Sequence, residues 1–146
     1  MHISQKRFRL IVLGLAALSL LTAGCYFLQS YFDKLAGMYG ITYMYNGYPS
    51  THTNTLTFNS DGTLTAQAKE VLFGGSNPTK GTWSQDKDKV QMNFAGTDSG
   101  YPVTSTLTGT LKDKSAKEIT GGTWNSTYQI GSTTYPDSGT WTATKK

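Results

Sequence analysis

The chain predicts an all-β domain: an eight-stranded antiparallel up-and-down barrel over residues 38–146. Three observations carry this. From residue 38 onward apolar and polar residues alternate, and the polar member is most often threonine. Val103, Ser105, Leu107, Gly109 and Leu111 share one parity, and Thr104, Thr106, Thr108 and Thr110 the other. A period of two marks a strand with one buried face, and threonine suits the pleated face that meets water. The alternating runs are separated by short stretches of turn chemistry, such as Asn46-Gly47 and Asp61-Gly62, and short connections join antiparallel neighbours. Finally, eight strands in a meander would leave two open edges, which closure into a barrel removes. A β-sandwich is the alternative reading of the same pattern.

Ahead of the domain, residues 1–24 read as a signal helix. Lys6, Arg7 and Arg9 make a basic start, residues 10–21 are apolar, and small Ala23 and Gly24 precede Cys25. That order is the pattern of a secretory signal peptide. Thr22-Ala23-Gly24-Cys25 resembles the bacterial lipobox, with Thr22 where Leu, Val or Ile is usual. The resemblance implies a thioether to diacylglycerol at Cys25, cleavage just before it, and acylation of the new amino group by a chain such as palmitate. More than one acyl chain makes such anchoring stable. Two other readings stay open: an uncleaved membrane anchor over residues 10–28, and an ordinary cysteine beside a standard cleavage site. All three place the chain after residue 30 outside the cytoplasm. Tyr26 stands where lipoproteins retained in the inner membrane commonly carry Asp. Where a cell has two membranes, this favours the outer one.

Residues 25–37 are expected to hold the lipidated cysteine, a tether and a short helix. Leu28, Tyr31, Phe32 and Leu35 recur at helical spacing, and Gly37 is a stop. The first strand is Tyr-rich, with Tyr39, Ile41, Tyr43 and Tyr45 on one face. Residues 54–59 and 63–68 flank Asp61-Gly62 as a hairpin. Residues 74–78 read as a loop, and the strand resumes at 81–84. A charged turn follows, then Val90, Met92 and Phe94 share a face. After the long strand 103–111 and the charged cluster 112–117 comes a strand over 118–128. There Ile119 and Trp124 differ in parity, and Gly121-Gly122 lies between them, so a bulge is expected. A polar loop to residue 138 and a last strand over 139–144 complete the count.

Charge excludes one class of partner. After Cys25 there are ten lysines, no arginine and nine acids, a formal charge of +1. No basic stripe or guanidinium fork exists for phosphate, so nucleic-acid binding is not expected. Cys25 is the only cysteine, so no intrachain disulfide can form.

The run from Leu56 through Asp61-Gly62-Thr63, then Gly81-Thr82-Trp83-Ser84, then Val90 to Phe94, resembles the small bacterial lipocalin-like domains. Gly122-Thr123-Trp124 and Gly139-Thr140-Trp141 resemble the last hairpin of such barrels. The resemblance implies the fold; the family's functions are diverse, so it implies no ligand contacts.

Enzyme chemistry is not expected. His52 is the only histidine after the leader and falls in an expected loop. Asp61, Asp86, Asp88, Asp98, Asp113 and Asp137 fall in expected turns, where turn formation accounts for them. Only Glu70 and Glu118 lie on or near strands. Neither a metal site nor a cofactor is expected. Binding is the better class. Trp83, Trp124 and Trp141 either fill the core or line a pocket for a small apolar ligand. Small inward residues Ala66, Ala68, Ser105, Gly109 and Ala143 make room for that ligand or for the indoles. Tyr39, Tyr43, Tyr45 and Tyr48 either form an exposed surface for a protein partner or are partly buried in the first strand. The second case leaves an interaction, inhibitor or envelope-structural lipoprotein working through its outer surface without this patch.

Overall fold

The computed structural model describes residues 34–67, 70–75 and 79–146. Eight strands follow one another: β1 (Gly37–Tyr45), β2 (Thr51–Phe58), β3 (Thr63–Ala66), β4 (Thr79–Asp86), β5 (Lys89–Asp98), β6 (Tyr101–Leu111), β7 (Glu118–Ile130) and β8 (Thr133–Lys145). Each pairs antiparallel with the next, and β8 returns to β1, so the sheet is a closed barrel and not a sandwich. The leader, Cys25, Ala68 and most of the helix expected over 26–36 lie outside the described residues. Leu35, at the end of that segment, is buried.

Closure sorts the side chains by parity. Tyr39, Ile41 and Tyr43 of β1, Leu56 and Phe58 of β2, and Met92 and Phe94 of β5 all point inward and are buried. On the outer wall threonines pair across strands, as in the hydroxyl contacts Thr104–Thr127 (2.7 Å) and Thr108–Thr123 (3.2 Å). Cross-strand pairs of this kind stabilise a sheet by a few tenths of a kcal/mol to about 1 kcal/mol each.

The expected bulge is present. On β7 the register jumps between Ile119 and Gly122 against β8, and the partner β6 shifts between Thr108 and Thr110. One extra residue absorbs the change of parity, so Ile119 and Trp124 are both buried. Gly121 takes a positive φ of 58° there.

Both ends are covered. Where the chain enters β1, Leu35 and Ala116 join the core, and the Tyr39 hydroxyl donates to the Ala116 carbonyl. At the other end the β3–β4 connection turns inward as a 3-10 helix, Val71–Phe73. Leu72 and Phe73 are fully buried, with the Phe73 ring 5.5 Å from Tyr43 and 5.3 Å from Phe94. This plug was not expected from sequence, because three apolar residues carry no periodicity. The amides of Phe73 and Gly75 close it by donating to the Glu70 carbonyl, both at 2.9 Å. Gly75 has a φ of 72°, and a Cβ there would meet Asp98 at 2.6 Å, so only glycine lets the loop lie against β5.

Two expectations are corrected. Residues 129–138 are not a loop: β7 and β8 stay paired to Ile130–Thr133 around a tight Gly131-Ser132 turn. Most of this arm is exposed on both faces, so no apolar alternation marks it. His52 is not in a loop either. It lies on β2 opposite Tyr43, where a polar inward residue hides the strand from a hydrophobic pattern.

Candidate functional site

The three indoles are core residues with satisfied N–H groups. Trp83 is 4%, Trp124 1% and Trp141 2% exposed. Their Nε1 atoms donate to backbone carbonyls: Trp83 to Asn59 (3.0 Å), Trp124 to Met44 (3.1 Å) and Trp141 to Thr123 (3.1 Å). Glycines opposite them provide the space. A Cβ at Gly109 or Gly122 would lie 2.8 Å or 2.5 Å from the Trp141 ring, and one at Gly139 would lie 2.5 Å from Trp124 Nε1. Gly109, Gly122 and Gly139 thus accommodate indoles. Phe58 packs edge-on to Trp83 at 5.5 Å, and Tyr45 to Trp124 at 4.9 Å. An open groove of about 510 Å³ on the outer wall is bordered by Thr42, Met44, Thr51, Thr140 and Thr142 and also touches Tyr43 and Trp141.

The four tyrosines do not make one exposed patch, which corrects that expectation. Tyr39 and Tyr43 are buried, Tyr45 is half-buried, and only Tyr48 stands in solvent, 70% exposed. Alternation decides this: β1 turns its odd-numbered residues inward, and Tyr48 lies beyond the strand. Burial pushes the Tyr39 phenol up to about 12. Tyr45 also rises to about 12, through burial first, then the carboxylates of Glu70 and Asp137. Tyr43 is raised further, by burial and then by Glu70. No partner reaches full hydrogen-bond geometry with its hydroxyl, and the Glu70 carboxylate lies within looser hydrogen-bonding reach of it.

These residues converge on the mouth above the Leu72–Phe73 plug. His52 stacks on Tyr43 (5.3 Å, 19° between planes) and meets Tyr45 edge-on at 5.3 Å. The inner face of the β7–β8 arm continues the wall outward. Trp124 is opposite Gly139, Ser126 opposite Asp137, and Tyr128 opposite Tyr135. The Tyr101 ring lies 5.7 Å from Tyr128, and the Tyr128 hydroxyl donates to the Asp98 carbonyl at 3.3 Å. Tyr101 is 39% and Tyr135 51% exposed. The mouth is therefore aromatic and acidic. Sequence reading missed Glu70, Asp137, Tyr128 and Tyr135 as a group, because only strand pairing and the inward 3-10 turn bring them together.

Among the described residues, no three His, Cys, Asp or Glu converge to hold a metal ion. No family model, curated protein or solved structure matches the chain.

Proposed function

We propose that the chain is a membrane-anchored extracytoplasmic lipoprotein, tethered through a lipidated Cys25, whose barrel is a non-catalytic binding body working from its surface. The anchor is supported by the order of basic start, apolar run, small residues and Cys25. Surface rather than interior binding is supported by one observation above all: the indoles of Trp83, Trp124 and Trp141 fill the interior with their N–H groups paired. A small apolar ligand inside the barrel, the other reading of those residues, requires the rings to leave these positions. Buried N–H groups that lose their partners cost about 1–3 kcal/mol each.

A native mass measurement on membrane-extracted protein tests both parts. A chain that begins at Cys25 with diacylglyceryl and acyl mass, and retains no further small molecule, supports the proposal. An unmodified thiol overturns the anchor. A stoichiometric apolar adduct beyond the lipid overturns the surface reading in favour of the interior one.

A further inference from the structure

We propose that the mouth between the β7–β8 arm, β1 and β2 binds an organic ammonium group. The first observation is an unused polar atom. Tyr43 is 1% exposed and no partner reaches full hydrogen-bond geometry with its hydroxyl, Glu70 being within looser reach. A buried hydroxyl left unpaired is unfavourable, and most such groups in folded proteins have a partner. This one faces the region of Glu70, whose carboxylate acts on both Tyr43 and Tyr45.

The second observation is the chemistry around it. Asp137 acts on Tyr45 as Glu70 does, so two carboxylates serve one mouth. By register Asp137 shares the inner face with Trp124 and Tyr135. The described lysine nearest this end of the strands, Lys80, sits on the outer face of β4, next to inward Thr79 and Gly81. Carboxylates with no described lysine on their face disfavour an anionic ligand.

The third observation is the rings. Tyr43, Tyr45 and His52 touch one another at 5.3–6.1 Å between centroids. Tyr128, Tyr135 and Tyr101 extend that aromatic surface toward solvent. An ammonium group satisfies all of these at once. Its charge lies against aromatic faces and near carboxylates. With the Tyr43 proton turned toward Glu70, the phenolic oxygen accepts an N–H. No described trio of ligands converges for a metal ion, so the cation this mouth fits is organic. The proposal deepens the surface-binding reading and rests on it; it does not rest on lipidation of Cys25.

The test titrates the full chain, extracted in detergent, with n-butylammonium and tetramethylammonium chloride at constant ionic strength. tert-Butanol serves as the neutral match, and tryptophan emission is the readout, since Trp124 touches Tyr45. Both cations are expected to give a saturable change that tert-butanol does not. Glu70→Gln and Asp137→Asn weaken both cations, Glu70→Gln by about tenfold, the scale of a lost hydrogen bond to a charge. Tyr43→Phe weakens n-butylammonium and leaves tetramethylammonium, which has no N–H, unchanged. Asp86→Asn, at the opposite end of the barrel, changes neither. The variants' melting temperatures confirm folding, and exposed Asp137 provides a variant that keeps the core intact. The proposal is overturned if neither cation saturates, if tert-butanol reproduces the change, or if folded Glu70→Gln and Asp137→Asn bind as the parent does. The mass of Cys25 and any interior adduct are read separately, so failure here is distinct from failure of the lipoprotein or surface reading.

Discussion

The indole of Trp124 occupies the space that a side chain at Gly139 would need: a Cβ there would lie 2.5 Å from Trp124 Nε1 and still closer to the Met44 carbonyl oxygen. That same carbonyl accepts the indole N–H. Glycine and tryptophan therefore form one unit across β7, β8 and β1. Gly139→Ala is expected to destabilise the barrel by about 1–3 kcal/mol, the range for overpacking a filled core. Urea unfolding followed by Trp emission measures it. An unchanged midpoint would mean that the three strands separate easily, against the packing described.

Two buried tyrosines are predicted to behave oppositely. Tyr39 donates to the Ala116 carbonyl, so Tyr39→Phe removes a hydrogen bond and is expected to cost about 1 kcal/mol. The Tyr43 hydroxyl has no partner at full hydrogen-bond geometry, so Tyr43→Phe is expected to be neutral or stabilising. Paired thermal melts decide this. Equal losses at both positions would show that Tyr43 has a partner after all.

Alkaline stability follows from the same phenols. Tyr39 and Tyr45 titrate near 12 in the folded chain against an ordinary 10.0. A raised folded value means the native state holds its proton longer than the unfolded state. The stability from this source is complete below pH 10 and is lost as pH rises through about 12. Melting temperature should fall across that window. Tyr39→Phe should flatten part of the fall, and an identical slope in that variant would remove Tyr39 as a cause.

The bulge at Gly121 sets which face of β7 enters the barrel. A Cβ at Gly121 meets nothing within 4 Å, so Gly121→Ala is expected to cost only about 1 kcal/mol, for its positive φ. Deleting Gly121 removes the extra residue of the bulge and leaves Ile119 and Trp124 four positions apart, so plain alternation keeps both inside. The deletion should therefore retain its near-ultraviolet circular dichroism at native conditions. Loss of that signal would contradict the register.

The β8 edge beyond β1 is also open to test. The Asn46 amide donates to Ser138, after which Thr133–Asp137 pair only with β7. Alternation points the backbone of Pro136 toward that unpaired side, where it presents no N–H. Pro136→Thr should raise concentration-dependent self-association, measured by light scattering, because it completes an exposed edge. Scattering that matches the parent at every concentration would show that the edge is protected by other means.

Sequence alone put a closed barrel ahead of a sandwich, and it determined the strand count, the inward parity of most strands and the need for a bulge between Ile119 and Trp124. These are local properties: a side-chain period of two and turn residues are written in consecutive positions. It also supplied the basic and apolar start and Cys25, on which the proposed anchor depends. Tertiary structure decided the rest. Whether the tyrosine face of β1 was core or surface depended on which side the closed sheet enclosed. The plug at Leu72–Phe73 and the long β7–β8 arm carry no apolar periodicity, because one packs end-on and the other projects past the core. The mouth is the clearest case. His52, Glu70 and Asp137 are polar residues from three distant segments, and only strand register and an inward turn gather them around Tyr43 and Tyr45. Hydrophobic pattern reports what a strand buries, and it is silent about which polar groups the folded chain brings face to face.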